Sequence, residues 1–245
     1  MQRRSSSAIL AAGALVALLV GGCLPAAESA QGRAIADLWT VFLVPAVVVA
    51  AIVWGLTTIA VLRFRRRRDD VGLPAQIEGH TGLELLWTSL PIVTVLVLFG
   101  FTMATLGRIE GRAPDAIDVT VTAYRWQWRI EYPAAGVTVD GSLEQPAEMV
   151  VPVGRPVHVT LVSPDVAHAF YVPAFLFKRD AIPGRTTSFD LTVEEAGTYR
   201  GQCAEFCGVF HDRMLFSVRA VPPAEFEAWL EATRTAEEQP AEGNE

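Results

Sequence analysis

At 245 residues and 26.6 kDa the chain has room for about one or two domains. Hydrophobic residues make up 51%, charged residues only 19%, and mean hydropathy is +0.32. That balance excludes a purely soluble domain and requires membrane segments beside ordinary globular sequence. The net charge of −7, with 20 Lys+Arg against 27 Asp+Glu, argues against a nucleic-acid partner and leaves room for a basic one.

The N-terminus opens with Arg3 and Arg4, runs through an apolar stretch from Ala8 to Val20 and reaches Val20-Gly21-Gly22-Cys23. This reads as a signal peptide over residues 1–22. The small residues before Cys23 resemble a bacterial lipobox, which makes Cys23 the lipid-bearing first residue after cleavage; the alternative is an ordinary cleavage near Ala26 or Ala30.

Residues 23–110 hold a two-helix hairpin. From Leu38 to Leu62 and again from Leu85 to Leu106 there is no charged residue. Each run exceeds the ~20 residues that cross ~30 Å of hydrocarbon as a helix. Pro45 and Pro91 are expected near the helix starts, where a missing N–H does least harm, and Trp39 and Trp87 at the interfaces. Between the runs lies Arg63-Phe64-Arg65-Arg66-Arg67-Arg68, a cluster retained on the cytoplasmic side. Two spans then put the N-terminus and everything after Gly107 outside.

From Ile117 the pattern becomes short β-branched and aromatic runs broken by Gly and Pro: Ile117 to Thr122, Trp126 to Tyr132, Met149 to Val153, Pro156 to Val162, Thr187 to Val193, Thr198 to Gly201 and Met214 to Val218. This spacing predicts an antiparallel β-sandwich over 115–221. Residues 222–245 read as a helix from Ala224 to Thr235, with Phe226, Trp229 and Leu230 on one face, and an acidic tail.

The densest chemistry is Gly201-Gln202-Cys203-Ala204-Glu205-Phe206-Cys207-Gly208-Val209-Phe210-His211-Asp212-Arg213-Met214. Thiolate and thioether are soft ligands and, with imidazole, suit copper; zinc sites rarely use methionine, and magnesium or calcium sites want oxygens. One cysteine with His211 and Met214 lacks only a second histidine to make a mononuclear blue-copper set, and His168 can supply it. A second thiolate on the same loop allows two coppers to be bridged and one electron to be shared between them. A Cys203–Cys207 disulfide is the competing reading in an oxidising compartment, but the short loop restricts its geometry and it leaves the adjacent His211 and Met214 unexplained.

With these residues in view, the chain resembles subunit II of the haem-copper cytochrome c oxidases from the first span to Val218. The resemblance rests on His168-Ala169-Phe170, on Lys178-Arg179-Asp180-Ala181-Ile182-Pro183-Gly184-Arg185, and on Gly197-Thr198-Tyr199-Arg200-Gly201-Gln202-Cys203 through Met214. It implies two transmembrane helices followed by an all-β cupredoxin-like sandwich outside a bacterial cell membrane. It also implies a binuclear copper (CuA) centre with His168, Cys203, Cys207 and His211 as principal ligands and Met214 and the Glu205 carbonyl as weak ones. The Glu205 side chain matches a position that helps hold Mg at the interface with subunit I. Trp126, in Tyr124-Arg125-Trp126-Gln127-Trp128, matches the entry point for electrons from cytochrome c; the residues alone equally allow Trp126 and Trp128 to fill the core from one strand face. Glu84 matches the mouth of a proton path, although a glutamate at a helix N-terminus also suits the helix dipole.

The implied partners are subunit I, subunit III, a cytochrome c donor and the membrane. The implied activity is that of an oxidase complex, since the chain has no Cys-x-x-Cys-His haem attachment and no histidine set for reducing oxygen. A copper-free quinol oxidase subunit and a copper-delivery protein are the rival readings, the first weakened by the full ligand set and the second by the long His168-to-Cys203 separation. His80 and His158 read as surface or structural residues. Asp165, Asp180 and Glu144 read as solvated loop charges or as docking charges for a basic cytochrome.

Overall fold

The computed structural model describes residues 26–65, 76 and 78–238. Cys23 and the signal peptide, Arg66 to Arg68 and the end of the acidic tail lie outside the described residues. Two compact units divide the chain: Asp37–Leu106 forms one, and the described parts of Met1–Ala36 and Gly107–Glu245 form the other.

The first unit consists of the main lengths of helices α1 (Ala30–Arg63) and α2 (Thr81–Ile109). Both helices run beyond the charge-free stretches because their ends are capped. Ser29 Oγ accepts the Gly32 N–H at 3.0 Å, an N-cap that satisfies one orphan amide of the first turn. At α2 the caps are reciprocal: His80 Nδ1 accepts from Leu83 N–H at 3.2 Å, and Glu84 Oε1 accepts from His80 N–H at 3.3 Å. The early starts change the place of the prolines. Pro45 and Pro91 lie inside the helices rather than near their beginnings, where each deletes one i→i−4 bond, a loss more readily absorbed in membrane helices than in soluble ones. Along both helices the apolar side chains are uncovered, Trp54 by 72% and Leu62 by 78%. Surface of that kind is stable in hydrocarbon and not in water.

Among the described residues the second unit is a sandwich of ten strands: β1 (Ile117–Tyr124), β2 (Gln127–Tyr132), β3 (Val137–Asp140), β4 (Ala147–Pro152), β5 (Val157–Val162), β6 (His168–Val172), β7 (Phe177–Ala181), β8 (Thr187–Leu191), β9 (Gly197–Cys203) and β10 (Leu215–Val221). One sheet has the order β3-β2-β1-β5-β8 and the other β4-β10-β9-β6-β7. Burial alternates along β1, β5 and β10, so each sheet buries one face. The pairing is not wholly antiparallel: β1 runs parallel to β5, and β4 to β10. Three strands fall outside the periodic runs of the sequence. β3 is only four residues long, β6 starts on a histidine, and β7 carries Lys178, Arg179 and Asp180 through its centre. Trp128, Phe170 and Phe216 form the centre of the core, with Phe170 and Phe216 rings 4.5 Å apart and Trp128 to Phe216 4.9 Å. Burying each such side chain contributes roughly 1.5–3 kcal/mol. Helix α3 (Pro223–Glu238) closes one side, with Phe226 buried and Trp229 edge-on to Tyr132 at 5.2 Å.

Candidate metal centre

The ligand-type residues separated in sequence meet at one end of the β4-β10-β9-β6-β7 sheet. His168 is the first residue of β6, and Cys203 the last of the neighbouring β9. Phe170 and Cys203 are register partners. The loop that follows is pinned at its base, where Cys203 N–H donates to the Met214 carbonyl at 3.0 Å and Ala204 N–H to the Ala169 carbonyl at 3.2 Å. A 3-10 turn at His211–Arg213 then brings the chain back to Met214 and β10. Hydrogen bonds of sheet and loop, rather than the soft side chains themselves, set the spacing of the donors.

Those donors converge. Cys203 Sγ is 3.8 Å from His168 Nδ1, 3.2 Å from the Glu205 carbonyl and 3.9 Å from Cys207 Sγ. Cys207 Sγ is 3.5 Å from His211 Nδ1 and 3.8 Å from Met214 Sδ. Both cysteines are free thiols and buried, as are His168 and Met214. The donor atoms of His168, Cys203 and Cys207 all lie within 4.8 Å of one another. Two thiols, two imidazoles, a thioether and a carbonyl in such a cage fit soft, copper-type metals and no oxygen-seeking ion.

The thiols are electrostatically unequal. Burial opposes ionisation of Cys203, but the hydrogen bond from His168 and those from the backbone outweigh it and hold the thiol at about 7. Cys207 is pushed up to about 12 by burial and then by the neighbouring Cys203 charge. A metal held in the cage would have to displace a proton from Cys207. Asp165 supports the other side. Its Oδ1 lies 3.0 Å from His168 Nε2 and accepts Val166 N–H, and its Oδ2 accepts from Arg125 N–H and Nε at 2.9 and 3.1 Å. Partial burial works against the charged form of Asp165, yet these hydrogen bonds prevail and hold its carboxyl far below the usual carboxylate range. Asp165 is thus built into the site rather than left as a solvated loop charge. The Asp-x-x-His spacing is the sequence signal that could have found it.

Trp126 and Trp128 part company. Trp128 is buried in the core, whereas Trp126 precedes β2, is half-buried and donates its indole N–H to the Cys207 carbonyl at 3.2 Å. Its ring meets Phe210 edge-on at 5.0 Å. Beside it the loop exposes Phe206 by 80% and Val209 by 79%. The Glu205 carboxylate pairs with Lys178 at 3.1 Å, and Lys178 also pairs with Asp180 at 3.0 Å. Glu84 belongs to the other unit, at the start of α2, where it caps the helix. His158 pairs with Asp190 at 2.6 Å, and His80 caps α2.

Comparison with known proteins gives the same picture from a different direction. Residues 135–221 match the family profile for the periplasmic domain of cytochrome c oxidase subunit II, and residues 17–104 match its transmembrane domain. Cytochrome c oxidase subunit 2 of Cereibacter sphaeroides is 33% identical over 77% of this chain and 73% of that one. The chain belongs to the cytochrome c oxidase subunit II family. A probable subunit 2 from Nocardia farcinica is 29% identical over 90% of this chain and 79% of that one. The crystal structure of the periplasmic domain of subunit II from Bradyrhizobium japonicum is 33% identical, covers 51% of this chain and 98% of its own, and superposes with a TM-score of 0.47. As a subunit II the chain is part of a haem-copper oxidoreductase, a membrane protein with a periplasmic-type domain, in a family that carries the CuA centre.

Proposed function

We propose that this subunit II takes electrons from a cytochrome c through Trp126 into a binuclear CuA centre held by His168, Cys203, Cys207, His211, Met214 and the Glu205 carbonyl, and passes them to haem in subunit I. The observation that carries this is the convergence of all six donors, with the two Sγ atoms 3.9 Å apart and a different imidazole against each. A copper pair bound by these residues would supply a one-electron carrier with its charge shared by two metals. The chain's own part is rigidity. Sheet hydrogen bonds fix Cys203 and His168, the turn fixes His211, and Asp165 orients His168, so the cage need not rearrange between redox states. Trp126 suits electron entry because it links half-exposed surface to the Cys207 backbone.

The subunit is placed in a bacterial cell membrane with the N-terminus and the sandwich outside, supported by the arginines from Arg63 to Arg68 between the spans. Subunit III and a Mg ion at Glu205 complete the proposed complex, whose oxygen reduction drives proton pumping. Lipidation at Cys23 and a proton-path role for Glu84 belong to the same reading. Proton uptake by the complex after Glu84→Gln tests the path, and uptake at the parent rate would end it.

The deciding experiment is copper reconstitution of the full chain in detergent. A seven-line mixed-valence EPR signal is expected. A four-line signal would mean a mononuclear site, and silence after oxidant treatment would mean that the cysteines pair instead. Trp126→Phe should then keep the copper signal and slow cytochrome c oxidation in the assembled oxidase; an unchanged rate would remove Trp126 from the route.

A further inference from the structure

The turn between β1 and β2 consists of Arg125 and Trp126 and is closed by the register pair Tyr124–Gln127. It belongs to the β3-β2-β1-β5-β8 sheet. His168, which begins β6, and Cys203, which ends β9, belong to the other. Both residues of the turn nevertheless reach across the sandwich. Trp126 donates its indole N–H to the Cys207 carbonyl at 3.2 Å. Arg125 donates twice to Asp165 Oδ2, from its backbone N–H at 2.9 Å and from Nε at 3.1 Å.

Asp165 divides its two oxygens between these neighbours. Oδ1 lies 3.0 Å from His168 Nε2, accepts Val166 N–H at 2.6 Å and accepts the Ser163 hydroxyl at 3.3 Å. Those partners all come from residues 163–168, so they fix the carboxylate only along its own stretch of chain. Oδ2 is held from the opposite sheet, by Arg125. The terminal torsion of an aspartate is broad and soft, so a carboxylate held on one oxygen still swings. Holding Oδ2 stops the swing and keeps Oδ1 on the imidazole. The guanidinium is 50% exposed and the carboxylate 20%, so water screens their attraction and the geometry matters more than the charge. A planar guanidinium is suited to that task because it loses little freedom per hydrogen bond formed.

We propose that Arg125 is a positioning residue for the metal centre: by gripping Asp165 Oδ2 from across the sandwich it keeps Oδ1 on His168 Nε2, and so keeps His168 Nδ1 presented to the metal beside Cys203 Sγ. The inference rests on the copper-ligand role of His168 proposed above. It makes one two-residue turn the support of two ligands, His168 through Arg125 and the Cys207 backbone through Trp126.

The test compares the parent chain in detergent with Arg125→Ala and Arg125→Lys. The first readout needs no copper. In metal-free protein labelled with 15N-histidine, the ring-nitrogen shifts at mildly alkaline pH report the tautomer of His168, whose signal is assigned by its loss in His168→Gln. The parent should hold the Nε2–H form, and Arg125→Ala should shift the ratio at least about threefold toward Nδ1–H. The second readout is copper affinity by competition with a chelator. It should fall at least about threefold in Arg125→Ala, less than for loss of the carboxylate itself, and Arg125→Lys should recover part of both effects. A parent tautomer ratio or a parent copper affinity in Arg125→Ala overturns the proposal. If the alanine variant does not fold, Arg125→Met keeps the aliphatic stem, drops the guanidinium and is read in the same way. A parent chain without the mixed-valence EPR signal would defeat the copper reading instead, and the tautomer ratio would still decide whether Arg125 acts on His168.

Discussion

His168 is gripped from both ring nitrogens: Nε2 lies 3.0 Å from Asp165 Oδ1 and Nδ1 lies 3.8 Å from Cys203 Sγ. A carboxylate on Nε2 places the proton there and leaves the Nδ1 lone pair for a metal, the arrangement by which protein metal sites fix imidazole tautomer and ring orientation. Asp165→Ala should therefore lower copper affinity by about 10- to 100-fold, read by competition with a chelator on the full chain in detergent. Asp165→Asn, which presents an oxygen of the same shape, should recover part of it. Equal affinity in the alanine variant would show that β6 alone holds the ring.

Tyr132 is one pH-sensitive element of the fold away from the metal. Its O–H donates to the Val150 carbonyl at 2.8 Å and its oxygen accepts Val150 N–H at 2.8 Å, joining β2 to β4. Burial raises its pKa well above the usual tyrosine value, more than the Val150 hydrogen bond lowers it. Because the folded-state pKa is raised, the contribution is fully present below pH ~10 and is lost as pH climbs toward the folded value, at up to ~1.4 kcal/mol per pH unit. Tyr132→Phe should cost about 1–3 kcal/mol at pH 7 by stranding two backbone groups. It should also remove this part of the alkaline decline. Urea unfolding of the two chains between pH 7 and pH 11 checks both, and parallel pH profiles would refute the assignment.

What the sequence disclosed was what local pattern can encode. The spans from Leu38 and Leu85, the ligand loop from Cys203 to Met214 and most strands were legible because charge absence, spacing and alternation are local signals. β7 was not, since Lys178 and Asp180 face out to an ion-pair cluster and its inward residues are too few to mark a period. The parallel pairing of β1 with β5 depends on chain crossover, which no run of residues carries. Asp165 was visible as a loop charge, but its tie to the site was not, because only the fold brings Arg125 to its carboxylate, 40 residues away. The separate fates of Trp126 and Trp128 depend on where β2 begins, a boundary of one residue.

The segment ahead of α1 makes a prediction about processing. Ser29 is fully buried and caps Gly32, and a Cβ on Gly32 would lie 2.4 Å from the Phe175 carbonyl oxygen, so only glycine permits the approach. Glu28 N–H also donates to the Ala174 carbonyl at 2.9 Å. Cleavage after Ala30 would discard these contacts. The mature chain should therefore retain Glu28, as mass spectrometry of its N-terminus would reveal; a start at Gln31 would contradict the docking. Gly32→Ala should lower the unfolding temperature and raise proteolysis between 28 and 33 without altering the copper signal.

Gly208 links the cage to Trp126, so a change there touches together two functions of which Trp126→Phe touches only one. It has φ +118, and a Cβ there would sit 3.3 Å from the Trp126 indole nitrogen and 3.4 Å from its ring. Gly208→Ala thus carries backbone strain of order 1–3 kcal/mol and pushes on the ring that donates to the Cys207 carbonyl. The nearest relief is a shift of the turn between Cys207 and His211, whose Sγ and Nδ1 stand 3.5 Å apart. The variant should broaden or shift the mixed-valence EPR lines and slow electron entry together, whereas Trp126→Phe leaves the lines in place and affects entry alone. Parent-like spectra for Gly208→Ala would mean that the loop yields elsewhere, without moving Cys207 or His211.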